Sequence, residues 1–253
     1  MVEKLIFDIG VGSGQDTYFY LNKGFNVVAV EADPRQFDFL NKTFSTDIAA
    51  GRLTIINAVA SNIVGTKISF YCDDFFQFAS STTPTKHCRE YKVETVDYPT
   101  LVSNFGIPYY CKIDIEGEEE NFLPNHSSSL PKYISVELLT TDMPIDKLYR
   151  IGYKKFKLVN HFYNHMLHRN YVCTGKFNDD TELEGTKFFG EFPTQLNSYN
   201  LLEWSGLFGR DLGNEWFTYD EVKQLYKIIN NIKFKFPKEI TTVHIIYDCH
   251  ATF

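Results

Sequence analysis

Cysteine is scarce in this sequence: five in 253 residues. Cys72, Cys88, Cys111, Cys173 and Cys249 are odd in number and widely spaced, with no Cys-x-x-Cys pair to hold zinc or an iron–sulfur cluster or to carry redox work. They read as reduced thiols in core or strand positions. Positive charge is short as well. The 25 Lys and Arg against 32 Asp and Glu leave a net charge of −7, which argues against a broad basic face for nucleic acid. No apolar run approaches the roughly 18 residues of a membrane span. Met1-Val2-Glu3-Lys4 leads into a short apolar stretch ending at Asp8, too short for the apolar region of a signal peptide. A cytoplasmic protein without a membrane span is the expectation, and the sequence shows no internal repeat, coiled coil or low-complexity tract. With 43% hydrophobic and 16% aromatic residues, the chain has the composition of a folded globular protein.

What is present is an alternation of strand and helix signals. Lys4 to Asp8 is an apolar strand, Gly10 to Gly14 a glycine-rich turn into a short helix, and Asn26 to Glu31 a second strand. Asp16 or Thr17 is placed to cap that helix, and Gly24 to end it in a left-handed conformation. Pro34 opens a second helix through about Lys42, and Leu53 to Val59 reads as a third strand. Thr66 to Tyr71 and Tyr91 to Val96 look like a hairpin-type pair. Tyr109 to Asp114, Tyr133 to Leu138 and Phe156 to Asn160 follow as fourth, fifth and sixth strands, and Val243 to Asp248 as the last. Continuous apolar runs of this kind suit parallel strands covered on both faces, so the fold class is α/β, a doubly wound sheet with right-handed crossovers. Residues 161–241 are too long for a plain loop and are expected to form an insertion that covers a site.

The most specific signal is Asp8-Ile9-Gly10-Val11-Gly12-Ser13-Gly14 between a strand and a helix, with Glu31 at the end of the next strand. Glycines allow a tight turn and close approach of a ligand, and a carboxylate at the second strand tip can take the ribose hydroxyls of a nucleoside. That pattern selects an adenosine-containing cofactor. A nicotinamide dinucleotide uses the same unit with Gly-x-Gly-x-x-Gly, but here the spacing is Gly-x-Gly-x-Gly and position 15 is Gln. Asp8 places a negative charge that disfavours a pyrophosphate and tolerates a cationic sulfonium and amino group, so S-adenosylmethionine fits better than NAD. A nicotinamide oxidoreductase or a non-catalytic nucleotide-binding module is the alternative reading.

The segments Asp8 to Gly14, Val30-Glu31-Ala32-Asp33-Pro34, Asn57-Ala58-Val59, Glu94-Thr95-Val96-Asp97 and Lys112-Ile113-Asp114-Ile115-Glu116-Gly117 occur in an order that resembles FkbM-type methyltransferases. Gly152-Tyr153, Phe189-Gly190-Glu191 and Tyr247 to Ala251 extend that resemblance over nearly the whole chain, while Val11 and Gly12 stand where many relatives have Ala and Asn. The resemblance implies a single class I methyltransferase domain, Rossmann-like, with an antiparallel last strand, and O-methylation of a sugar, glycan or related small-molecule hydroxyl. It implies cofactor contacts from Asp8, Gly10, Gly12, Ser13 and Gly14 on the methionine side. Glu31 would hold the ribose, Ala32, Asn57 and Ala58 would flank the base, and Asp114 would face the amino group or the acceptor.

Transfer to an alcohol needs a base to take its proton as the new bond forms. Asp114, Glu137 and His161, in that order, are the candidates at strand ends on one sheet edge. Glu116 is equally placed to cap a following helix. His161, His165 and His168 would share one helix face, yet a surface or cleft-lining role is favoured over zinc. Magnesium held by Asp114 and another carboxylate is an option that no motif indicates. Asp248 and His250 alternate onto one face of the last strand, whose end is expected opposite the cofactor edge. Among the insertion's aromatics, Trp204 or Trp216 is the candidate for stacking against the acceptor.

Overall fold

The apolar run Leu5–Ile9 forms β1, followed by α1 (Gln15–Asn22), β2 (Asn26–Glu31), α2 (Pro34–Thr43), α3 (Ser45–Ala49) and β3 (Leu53–Asn57). Next come β4 (Val59–Ala60), β5 (Lys67–Asp73), β6 (Ser80–Ser81), β7 (Cys88–Val96), α4 (Tyr98–Phe105), β8 (Tyr110–Ile113), α5 (Glu119–Phe122) and β9 (Tyr133–Leu138). The chain continues through α6 (Met143–Ile151), β10 (Lys155–Asn160), β11 (His165–Leu167), β12 (Cys173–Thr174), α7 (Tyr219–Lys233) and β13 (Tyr247–Thr252). These come from a computed structural model that describes residues 4–73, 80–84, 87–125, 127–138, 141–160, 165–167, 173–174, 208–212, 215–233 and 247–253.

The main sheet runs β12-β11-β10-β13-β9-β8-β1-β2-β3. Its seven principal strands stand in the order third, second, first, fourth, fifth, seventh, sixth, with β13 antiparallel to both β9 and β10. This is a mixed α/β, Rossmann-like arrangement with an antiparallel last strand. A smaller sheet, β4-β7-β5-β6, contains the expected hairpin-type pair, with Lys67 opposite Glu94 and Asp73 opposite Cys88.

Local chemistry sets the helix ends. Asp33 caps α2 by accepting from the Arg35 N–H at 2.8 Å, with Pro34 in its first turn. Gly24, at φ +83, lets the Phe25 N–H reach back to the Tyr20 carbonyl at the end of α1. The start of α1 departs from expectation. Gly14, in a left-handed conformation, occupies the cap position, and no side chain caps the helix there. Thr17 Oγ1 instead donates to Asp8 Oδ2 at 2.5 Å, and Asp16 pairs with Lys112.

Register separates the two faces of the sheet. One is apolar, with Phe7, Ile9, Cys111, Ile113, Ile134, Val136, Phe156, Leu158, Cys249 and Ala251 buried against α4, α5, α6 and α7. Across the middle of the other runs a row of side chains in mutual register: Asp8, Lys112, Ser135, His250 and Lys157. All five are buried. Around that row this second face is also apolar, with Ile6, Val27, Ala29 and Val159 packed with Phe19, Tyr20 and Phe208; Phe208 is stacked on Tyr110 at 4.5 Å between ring centroids, and Lys157 Nζ donates to the Leu212 carbonyl. Phe217 then pairs with Phe156 on the edge of β10, and α7 packs on the apolar face, so this part of the insertion wraps the sheet edge.

The last strand ends later than expected. It continues to Thr252, and Val243–Ile246 lie outside the described residues. Its antiparallel direction is as expected, but Asp248 stands opposite Glu137, near the carboxyl edge of the parallel strands, while His250 sits mid-sheet opposite Ser135. Neither is at the far edge. Trp216 lies near the amino end of β9, stacked on Tyr133, rather than at the carboxyl edge of the parallel strands, and Trp204 lies outside the described residues.

Candidate functional site

In a sheet wound this way, ligands sit beyond the carboxyl ends of the strands, where the order reverses on either side of β1. At that edge the β1–α1 loop is built on glycines with positive φ: Gly10 at +84°, Gly12 at +56° and Gly14 at +89°. Gly10 donates to the Val30 carbonyl at 2.9 Å. A Cβ on it would fall 1.7 Å from the Asp114 carbonyl oxygen, so glycine is what allows the loop to lie against the end of β8. Ser13 is buried, its hydroxyl on Gln15.

Glu31 ties loop and strand together. Its Oε2 accepts from the Gly12 N–H at 2.9 Å and its Oε1 from the Asp33 N–H at 2.8 Å. Burial pushes this carboxyl up to about 7, partly offset by those two N–H groups. Asn57 is opposite Glu31 in register and donates to the Glu31 and Ala32 carbonyls at 2.8 and 3.1 Å. Ala58 is buried beside it, and Ala32 packs against the small sheet.

Asp8 is more deeply placed than its sequence position suggests. It is 1% exposed, its Oδ2 takes the Thr17 hydroxyl, and its Oδ1 has no partner among the described residues. Burial raises its carboxyl to about 7, against the opposing pull of the Lys112 ammonium. Its charge is therefore held behind the loop and is not presented to an incoming ligand.

The carboxylates at the edge itself come from other residues. Asp114 follows β8 with its N–H on the Ile9 carbonyl, and one carboxylate oxygen from each of Asp114, Glu116 and Glu137 lies within 4.8 Å of the others. Three hard oxygen donors suit a magnesium-type cation. Lys112 Nζ, however, already lies 2.8 Å from Asp114 Oδ2 and 3.1 Å from Asp16 Oδ2, and brings positive charge of its own. Burial alone would lower the affinity of Lys112 for its proton, but Asp114, Asp16 and Asp8 more than offset it and hold the ammonium well above its ordinary range. The turn after Asp114 is shaped by Glu119, whose Oε1 accepts from the N–H groups of Ile115 and Gly117, both at 3.0 Å. Glu116, at φ +60, is carried over that turn and does not cap α5.

The structure thus brings the Gly10–Gly14 loop, Glu31, Asn57, Ala58, Asp114 and Glu137 to one edge. His161 and His168 lie outside the described residues, and His165 is in strand β11, so the three histidines do not share a helix. No role at the site is expected of Lys112 or Glu119 from sequence, and only a helix-capping one of Asp16. A lysine inside an otherwise apolar strand, two residues before Asp114, is the one signal that could have found the first.

No family model matches the sequence. No curated protein matches it either. Among solved structures it is similar to a methyltransferase FkbM from Methylobacillus flagellatus, at 16% identity and a TM-score of 0.43, covering 61% of this chain and 39% of that one. It is also similar to precorrin-6y C5,15-methyltransferase from Geobacter metallireducens, at 14% identity and a TM-score of 0.36, covering 68% and 74%. A third likeness is to a putative RNA methyltransferase from Pyrococcus horikoshii, at 12% identity and a TM-score of 0.37, covering 68% and 69%. The chain spans about two-fifths of the length of the first of these. Among the described residues no helix is long and apolar enough to cross a membrane.

Proposed function

We propose that this chain is an S-adenosylmethionine-dependent O-methyltransferase whose acceptor is a hydroxyl of a sugar, glycan or related small molecule. One observation carries the reading: a left-handed glycine loop, a strand-end carboxylate and a strand-end aspartate converge on the carboxyl edge of β1, β2 and β8. This donor set fits a ligand with a ribose diol at one end and a cationic amine at the other. The acidic cluster of Asp114, Glu116 and Glu137 favours such a ligand over a pyrophosphate.

When bound, S-adenosylmethionine supplies an electrophilic methyl group on a sulfonium. The side-chain-free loop admits the ligand close to the backbone. Glu31 uses one acceptor site on each oxygen for Gly12 and Asp33, and a carboxylate offers about four in all, which leaves capacity for the ribose hydroxyls. Asp114, fixed by Lys112, faces the amino group. Because Asp114 is committed in this way, we assign proton removal from the acceptor hydroxyl to Glu137, buried at the end of β9 in the same cluster. Holding the acceptor oxygen in line with the transferring methyl supplies much of the remaining rate.

The test is transfer of a labelled methyl group from S-adenosylmethionine to a panel of mono- and oligosaccharides. The reading expects labelled product that survives base hydrolysis, as an ether does, and a loss of about 10²-fold or more in Glu137→Gln. Labelled protein or ester in place of ether, or full turnover in Glu137→Gln, would contradict it.

A further inference from the structure

Away from the glycine loop, an open groove of about 480 Å³ lies between α5, α6 and the turn after β4. Lys147 and Arg150 line it from α6, three residues apart and so on one face of that helix. The buried face of α6 is occupied by Ile145, Leu148 and Ile151. Asn62, Glu120, Asn121, Asn125 and Ile151 line the rest.

Two side chains in the groove are anchored. Lys147 Nζ donates to the Glu120 carbonyl at 2.5 Å, and Arg150 Nε donates to the Asp146 carbonyl at 3.3 Å. Two cations against one carboxylate leave a positive surplus, on a chain whose net charge is −7. Asn62 and Asn125 add neutral donors that can each rotate an NH₂ toward an oxygen, while Asn121 Nδ2 already donates to Glu118 Oε2 at 2.6 Å and keeps one N–H for a ligand. Burial lowers the proton affinity of Lys147, Glu120 opposes that, and the neighbouring Arg150 adds to it, so the ammonium is short of compensating charge.

We infer that this groove binds an oxyanion of the phosphate class, held between Lys147 and Arg150 with the asparagine amides completing its hydrogen bonds. The inference does not rest on the methyl-transfer reading. The groove is nevertheless linked to the candidate site, because α5 begins at Glu119, whose carboxylate clamps the turn after Asp114.

The experiment is calorimetric titration of the whole chain with inorganic phosphate at low ionic strength, repeated on Lys147→Gln and Arg150→Gln. S-adenosylhomocysteine is titrated in parallel to report on the separate cofactor reading. Saturable phosphate binding to the wild type, weakened at least tenfold in each variant while S-adenosylhomocysteine binding is unaltered, supports the inference. Lack of saturable phosphate binding to the wild type overturns it, and so does a phosphate affinity unchanged from the wild type in either variant. Glutamine can still donate to the Glu120 carbonyl, and Arg150 is exposed, so at least the second variant is expected to fold.

Discussion

Lys112 Nζ stands 2.8 Å from Asp114 Oδ2, an ion pair in which the lysine side chain is 5% and the aspartate 15% exposed. The same ammonium reaches Asp16 in the first turn of α1. One buried cation therefore joins the end of β8 to the helix that the glycine loop feeds, and fixes the position of that loop from below. Replacing Lys112 by Met leaves Asp114 and Asp16 facing each other without a counter-charge, beside the buried Asp8. Breaking a buried pair in this way costs about 3–5 kcal/mol. Urea unfolding of Lys112→Met should show a loss of that size, and a loss below about 1 kcal/mol would mean that the pair does not organise the loop.

Asp114→Asn and Glu137→Gln should separate binding from chemistry. The first removes a charge from the cation-facing oxygen and should weaken S-adenosylmethionine binding at least tenfold, which corresponds to about 1.4 kcal/mol. The second should leave cofactor affinity within about twofold and lower turnover by about 10²-fold or more. Equilibrium binding alongside single-turnover transfer reads both, and the reverse pattern would exchange the two assigned roles.

Two glycines with nearly the same φ predict different costs. Gly24 and Gly10 are at +83° and +84°, but nothing lies within 4 Å of a Cβ on Gly24, whereas one on Gly10 meets the Asp114 carbonyl at 1.7 Å. Gly24→Ala should cost only the left-handed strain, about 1–2 kcal/mol. Gly10→Ala adds overpacking of about 1–3 kcal/mol and should also displace Asp114. Chemical denaturation of the two variants checks this, and equal losses would show that the loop yields without cost.

The pH dependence of stability carries two opposing signs. Glu31 and Asp8 are acids whose folded-state values, about 7, lie above their ordinary ones. The native state holds these protons more tightly, so the stability they contribute is present below about pH 4 and is lost as pH rises through 7. His250 behaves oppositely: burial, with Lys157 and Lys112 adding to it, lowers its value from 6.5 to about 3, so its contribution is present above pH 6.5 and is lost as pH falls. Thermal melts from pH 4 to 8 should show Glu31→Gln flattening the decline toward pH 7 and His250→Asn flattening the decline below 6.5. A wild-type profile in either variant would contradict the corresponding burial.

The parallel half of the sheet was legible in the sequence because its strands are continuous apolar runs closed by strong punctuation. β2 and β9 have the expected bounds, and the hairpin-type pair lies within one or a few residues of them. The glycine loop, Glu31 and Asp114 were legible for the same reason, each falling at a strand end. What stayed hidden depends on register. Asp8, Lys112, Ser135, His250 and Lys157 come from five strands, and only their pairing across the sheet shows that they form one buried row. The apolar run Val243–Ile246 lies outside the described residues, and the strand's continuation to Thr252 is hidden in sequence because polar Asp248 and His250 interrupt the hydrophobic pattern. Asp16 or Thr17 is the expected cap of α1, but the Thr17 hydroxyl serves a buried carboxylate that hydropathy gives no reason to expect.

The most direct test of the central claim is calorimetric titration of the wild-type chain with S-adenosylhomocysteine and, separately, with NADH. Binding of S-adenosylhomocysteine in the micromolar range, weakened at least tenfold in Glu31→Ala and accompanied by no heat from NADH, is the predicted result. Binding of NADH in place of S-adenosylhomocysteine, or binding of neither, would contradict the account.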